Sequence, residues 1–396
     1  MIPGFANCHS HAFHRALRGR SQALPATGRG SFWTWREQMY AVAARLTPES
    51  LHDLAVATYT EMLCAGITSV GEFHYLHHQP DGTPYADPNE MGHALVAAAR
   101  EVGIRIALLD TCYLAAGLEP DGGHRPVEGV QVRFSDGDVD AWAERFTALA
   151  AAYDGSDDVR IGAGIHSVRA VPAAAMGTIV TAASGRPLHV HLSEQPAENE
   201  QCLAAYGCTP ARLLTDHGVL GPWTTAVHAT HLTADDIGLL GAAGTHACFC
   251  PTTERDLADG IGPSRALHTA GSRLTLGSDS HAVIDPFEEM RAVELDERLS
   301  TGIRGHWSAS ELIEAATTTG HGSLGFDAAD TAADVVTVDL GSPRTAGTGP
   351  GEEALVFAAA AADVLTVRIG AEIHDIRALR EDLRGQWQRL EGVLAP

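Results

Sequence analysis

The chain has 396 residues, 45% of them hydrophobic, and sets 27 basic side chains against 50 acidic ones for a net charge of −23. Such a surface repels nucleic acid and anionic lipid, so neither is an expected partner. Every basic residue is arginine, which excludes Schiff-base chemistry, a P-loop lysine and a carbamylated lysine bridging two metals. Any metal centre is therefore expected to hold one ion.

No apolar run reaches the roughly 18 residues that a membrane span needs. Met1 to Asn7 lacks the basic and apolar parts of a signal peptide, and we expect a cytoplasmic protein. The seven cysteines form no C-x-x-C pair, and a reduced, buried, structural role is expected for most of them.

In chain order, a short strand is expected before His9. Pro48–Cys64 then places Leu51, Leu54, Ala55, Tyr59 and Met62 at a helical period. Asp87-Pro88-Asn89-Glu90 reads as an N-cap, a first-turn Pro and a capping-box Glu. Thr233 with Asp236 opens another helix. Apolar, β-branched runs at residues 67–73, 104–112, 159–166, 188–192, 225–229, 245–250 and 274–277 supply seven more strands. Gly66, Gly103, Gly185 and Gly244 stop the intervening helices. Strands alternating with helices predict an α/β fold, a (β/α)8 TIM-like barrel over residues 1–320. An open doubly wound sheet is the alternative, but it would separate the first strand from the last.

Residues 321–396 read as a small, incomplete β appendage with a C-terminal helix. Residues 334–340, 354–358 and 365–369 are its expected strands, and a charged helix should run from Asp375 to Leu394.

Four separated groups carry the chemistry. His9 and His11 are two apart at a strand end, so both rings point to one side. His191 ends a strand with Glu194 after it. His189 shares that spacing, but the nearby Glu194 favours His191. His228 ends the next strand but one from His166, with His231 as its rival. Asp279 follows an apolar strand in Gly277-Ser278-Asp279, where small residues allow close backbone approach. Asp285 is better placed to cap the helix near Pro286, which leaves Asp279 free. His9, His11, His191 and Asp279 suit one divalent ion, a zinc-class metal with an open position. Glu194, His228 and Asp279 remain for proton transfer, and the set points to metal-assisted hydrolysis.

In this order, the groups resemble the amidohydrolase superfamily, in its mononuclear deaminase branch. Ser31-Phe32-Trp33-Thr34-Trp35-Arg36, Phe73-His74-Tyr75-Leu76-His77-His78, His166-Ser167-Val168-Arg169, His228-Ala229-Thr230-His231 and Cys250-Pro251-Thr252-Thr253-Glu254 resemble the formimidoylglutamate deiminases. The resemblance runs from Pro3 to about Arg298, with a weaker tail to Val367. It implies hydrolysis of N-formimino-L-glutamate to N-formyl-L-glutamate and ammonia, with zinc as the ion. By position it also implies His14, Arg36, Tyr75, His166 and Arg169 as groups binding a small dicarboxylate amidine, and it implies a homodimer.

Two departures stand out. Relatives often carry Gln where this chain has His14. They also usually have a segment before Pro3-Gly4 that completes the small sheet, so an exposed edge on residues 334–369 and lower stability than an extended chain are expected. The competing readings are a purine or triazine ring deaminase or chlorohydrolase, which needs no paired arginines, and a non-catalytic metal-binding protein.

Overall fold

A computed structural model of the protein describes residues 1–22 and 30–390. Eight parallel strands run in chain order around a barrel: β1 (Phe5–Ser10), β2 (Ile67–His74), β3 (Arg105–Cys112), β4 (Val159–Ile165), β5 (Leu188–Leu192), β6 (Thr224–His228), β7 (His246–Phe249) and β8 (Arg273–Leu276). Helices cover the outside. Both faces of each strand are therefore buried, which is why the strands read as nearly continuous apolar runs.

The circle closes just past β8. Asp279 N donates to His9 O at 2.9 Å and His11 N donates to Asp279 O at 3.2 Å, a parallel bridge between the first and last strands. Gly277 makes this approach possible. A Cβ there would lie 2.8 Å from the His9 Cβ and 2.9 Å from the His9 carbonyl oxygen. An open sheet would leave those ends apart, and the bridge excludes it.

Helix starts largely follow their capping chemistry. Thr47 caps Pro48–Cys64, and Thr233 forms a reciprocal box with Asp236 before Ala234–Ala243. Asp285 accepts from Phe287 N and Glu288 N, so it caps Pro286–Thr301 and Asp279 stays available. The start expected at Asp87 is corrected. Asp87 accepts from Asn89 N at 2.9 Å, which closes a local turn, and the helix Glu90–Val102 opens only after it.

A second sheet sits beside the barrel. It is antiparallel, in the order Ile2–Pro3, Val335–Val338, Val364–Ile369, Glu372–Asp375. Ile2 pairs with Val336 and Pro3 with Val335, so the N-terminal residues partner part of the edge expected to be bare. The strand expected at residues 354–358 is instead a helix, Glu352–Ala358. Glu352 and Glu353 in its first turn complement the helix dipole, and Glu, Ala and Leu favour helix over strand. Ile376–Arg389 forms the C-terminal helix, and the part expected beyond Leu390 lies outside the described residues. The helix Thr318–Ser323 crosses the expected 320/321 division, and His321 ties it to Ser69 and to the Gly4 carbonyl. No described helix is long and apolar enough to cross a membrane.

Candidate metal centre and substrate cavity

The C-terminal ends of β1, β5, β6 and β8 converge. His9 and His11 come from the end of β1, His191 from β5, His228 from β6 and Asp279 from the turn after β8. His9 Nε2 lies 3.0 Å from His191 Nε2. Asp279 Oδ1 lies 3.5 Å from His9 Nε2 and 3.3 Å from His11 Nε2, and Oδ2 lies 3.9 Å from His228 Nε2. His228 and Asp279 both have left-handed backbones, with φ of 67° and 42°. Positive φ is uncommon outside glycine, although Asp and His tolerate it better than most residues, and such geometry gathers at working sites.

Hydrogen bonding fixes the orientation of two rings. His11 Nδ1 faces the Phe73 carbonyl at 2.8 Å, and His191 Nδ1 faces the His166 carbonyl at 2.8 Å. A carbonyl accepts only from N–H, so each ring turns the lone pair of Nε2 into the cluster, as metal-ligating histidines do. Burial lowers the proton affinity of His9, His11 and His191, which keeps the rings neutral and open to a metal. Burial also opposes ionisation of Asp279, but His9, His11 and His228 outweigh it and hold the carboxyl well below the usual range. Neutral imidazole nitrogens and one carboxylate fit a divalent ion of the zinc class.

The two rivals are placed elsewhere. His189 is fully buried and joins no cluster among the described residues. His231 is held by the Asp259 carbonyl at 2.7 Å. A second buried group, His74, His77 and Asp110, has metal-like spacing but is already occupied. Arg145 donates to both Asp110 oxygens, at 2.7 and 3.0 Å, and Trp142 Nε1 donates to one of them at 3.0 Å. A cation there would meet a guanidinium.

Beside Asp279, two further carboxylates lie against His228. Glu194 Oε1 is 3.8 Å from its Nε2, and Glu254 Oε1 is 3.3 Å from its Nδ1. Burial works against a charged His228, yet Glu194, Glu254 and Asp279 outweigh it and raise its pKa well above the usual value. Glu194 itself is pushed up to about 7, chiefly by burial, with Asp279 adding and His228 and Arg169 subtracting. A carboxyl tuned there can take and return a proton at neutral pH.

A cavity of about 670 Å³ opens over the cluster. It is lined by His11, His191, Glu194, His228 and Asp279 and, beside them, by His14, Arg36, Tyr75, His166 and Arg169. Ser31 caps the helix Phe32–Ala43 that brings in Arg36, whose guanidinium lies 4.5 Å from the Trp33 ring centroid and 5.5 Å from that of Tyr40. Arg36 has no carboxylate partner among the described residues. Arg169 Nε donates to Glu198 Oε2 at 3.1 Å, and Glu198 Oε1 accepts from Ser193 N at 3.1 Å. His14 Nε2 meets the Tyr75 hydroxyl at 2.9 Å, and burial lowers the His14 pKa to about 3, so its ring is neutral.

Glu198 and Glu254 had no role in the sequence reading. Glu254 falls inside the Cys250-Pro251-Thr252-Thr253-Glu254 block, which was a signal without an assigned function. Glu198 opens a helix four residues after Glu194 and gave no signal beyond a first-turn acid.

This barrel, with histidines and an aspartate at its mouth, is the architecture of a metal-dependent hydrolase, and the chain belongs to the amidohydrolase family, matched over residues 1–374. Among curated relatives, it is 39% identical over 300 residues to formimidoylglutamate deiminase of Pseudomonas aeruginosa, an alignment covering 76% of this chain and 65% of that protein. It is 32% identical to 8-oxoguanine deaminase of the same organism, over 72% of this chain and 60% of the relative. Among solved structures, an amidohydrolase from Brucella melitensis superposes with a TM-score of 0.91 at 31% identity, covering 100% of this chain and 90% of the other. A zinc-bound adenosine deaminase from Xanthomonas campestris shares the fold, with a TM-score of 0.81 at 24% identity over 99% and 86% of the two chains.

Proposed function

We propose that the protein hydrolyses the formimino group of N-formimino-L-glutamate, giving N-formyl-L-glutamate and ammonia. The carrying observation is that Arg36 and Arg169 line the same cavity as Glu194, His228 and Asp279. Two guanidiniums match two carboxylates, and arginine is the bidentate carboxylate binder. The 39% identity to a formimidoylglutamate deiminase supports the same reading.

His9, His11, His191 and Asp279 would hold one divalent ion, which supplies the Lewis acidity that makes a water acidic enough to attack near neutral pH. Arg36 and Arg169 hold the substrate carboxylates and set the formimino carbon over the cluster. Glu194 accepts a proton from the attacking water. His228, kept charged by Glu194 and Glu254, steadies the negative charge that grows on attack. The C–O bond forms, and the C–N bond to the terminal nitrogen breaks. Glu194 returns its proton to that nitrogen, Asp279 passes on the proton of the new hydroxyl, and with both the nitrogen leaves as ammonia while the carbon keeps the formyl C=O.

A second reading is deamination of a heteroaromatic ring. Trp35, Tyr113 and Phe134 also line the cavity, and 8-oxoguanine deaminase is among the relatives. Ammonia release from metal-reconstituted protein separates the two. Turnover of formiminoglutamate and none of guanine or 8-oxoguanine supports the first reading, and the reverse pattern rejects it.

A further inference from the structure

A second cavity, of about 820 Å³, lies between the turn after β1 and the C-terminal helix Ile376–Arg389. Arg15, Arg18, Arg20, Arg380 and Arg384 line it, and Glu61 is its one lining carboxylate. In a chain of net charge −23, five arginines facing one acid is an inverted balance.

The arginines are unequally satisfied. Arg15 is buried, paired with Glu61 through two nitrogens, and donates to the His281 carbonyl at 2.6 Å. Arg18 shares the same Glu61 oxygen at 3.2 Å. Arg380 donates to the carbonyls of Ala361 and Cys64, at 2.7 and 3.3 Å, which leaves its charge uncancelled. The side chains of Arg20 and Arg384 have no hydrogen-bond or ion-pair partner among the described residues. The acids beside Arg384 on its own helix are engaged elsewhere: Glu381 faces Arg377, and Asp382 accepts from Gln386. Guanidiniums gathered without a counter-charge repel one another, and a shared anion removes that cost.

We propose that this cleft is a binding site for a small multivalent oxyanion, a phosphate- or polycarboxylate-bearing molecule, held chiefly by Arg18, Arg20, Arg380 and Arg384. The planar forks of these side chains suit such oxygens. Arg15 stays with Glu61 and forms the floor, its guanidinium 6.0 Å from the Trp387 ring centroid. Trp387 therefore reports on occupancy. The site is separate from the substrate cavity, and its test does not depend on the reaction.

The test is titration of the full chain with pyrophosphate and with citrate, at ionic strength held constant with sodium chloride. Calorimetry and tryptophan fluorescence follow binding. Saturable binding of one anion per chain is expected from at least one probe, and the responsive probe tells phosphate from carboxylate chemistry. Arg20→Glu and Arg384→Glu should each weaken it by about tenfold or more, since each reverses a charge within contact distance of the anion. Arg377→Glu, on the same helix outside the cleft, should leave it within about twofold. Absence of saturable binding to either probe, or equal weakening by all three variants, would overturn the proposal.

Discussion

Glu198 holds Arg169 against the loop that carries Glu194. One Glu198 oxygen accepts from Arg169 Nε and the other from the backbone N–H of Ser193. Ser193 has a φ of 51°, so the carboxylate also braces a left-handed residue beside Glu194. Glu198 acts through Arg169 and Ser193, which makes it a positioning residue. Replacing Glu198 by Gln should raise KM for formiminoglutamate by about 10-fold or more, the worth of one charged hydrogen bond, with a smaller fall in kcat. Steady-state kinetics at fixed metal would check this, and an unchanged KM would remove Glu198 from the account.

Arg36 should not be replaceable by lysine. Its plane lies over Trp33 and Tyr40, and its fork is free toward the cavity. Arg36→Lys keeps the charge but loses the stacking and bidentate geometry. We expect kcat/KM for formiminoglutamate to drop by about 10- to 100-fold, mostly in KM. Ring substrates, if any are turned over, should be unaffected.

Glu194→Gln should lower kcat by about 100- to 10,000-fold, the usual worth of a positioned general acid and base. Metal content, measured by elemental analysis, should stay at the level of the unaltered protein. Loss of metal in this variant would instead make Glu194 a ligand.

Stability should show an acid-side signature from the buried network under β2 and β3. Asp136 is buried, and burial alone would raise its pKa. Hydrogen bonds from His78 and Arg145 outweigh that and hold it well below the usual range. A depressed carboxyl stabilises the fold above its unfolded pKa of about 3.9 and loses that contribution as pH falls toward its folded value. Asp136→Asn should thus be less stable than the unaltered protein at pH 7, with the gap closing below about pH 4. Arg145→Leu strands Asp110 and Asp136 together and should cost about 3–5 kcal/mol, measured by chemical denaturation.

The barrel was legible because its strands are buried on both faces and many of its helices carry a side-chain cap, so local pattern and global fold agree. The residues of the candidate metal centre were legible for a related reason: His9, His11, His191 and Asp279 all sit at or just past a strand end, which the hydrophobic pattern marks. His228 was favoured over His231 because it ends the strand, and the structure sets His228 beside Glu194 and Asp279 while His231 is held by the Asp259 carbonyl. Glu254 and Glu198 were not legible as partners. Their contacts depend on how the helix after one strand leans back over the end of the strand before it, and no periodicity encodes that. Residues 354–358 were misread because a five-residue apolar run has no distinguishing period, and the acids before it carried the helical signal.

The most direct measurement is anomalous diffraction from crystals of the zinc-reconstituted protein. The account predicts one ion per chain, within about 2.0–2.2 Å of a nitrogen from each of His9, His11 and His191 and of an Asp279 oxygen. An ion placed elsewhere, such as beside His74 and His77, or no bound ion at all, would contradict it.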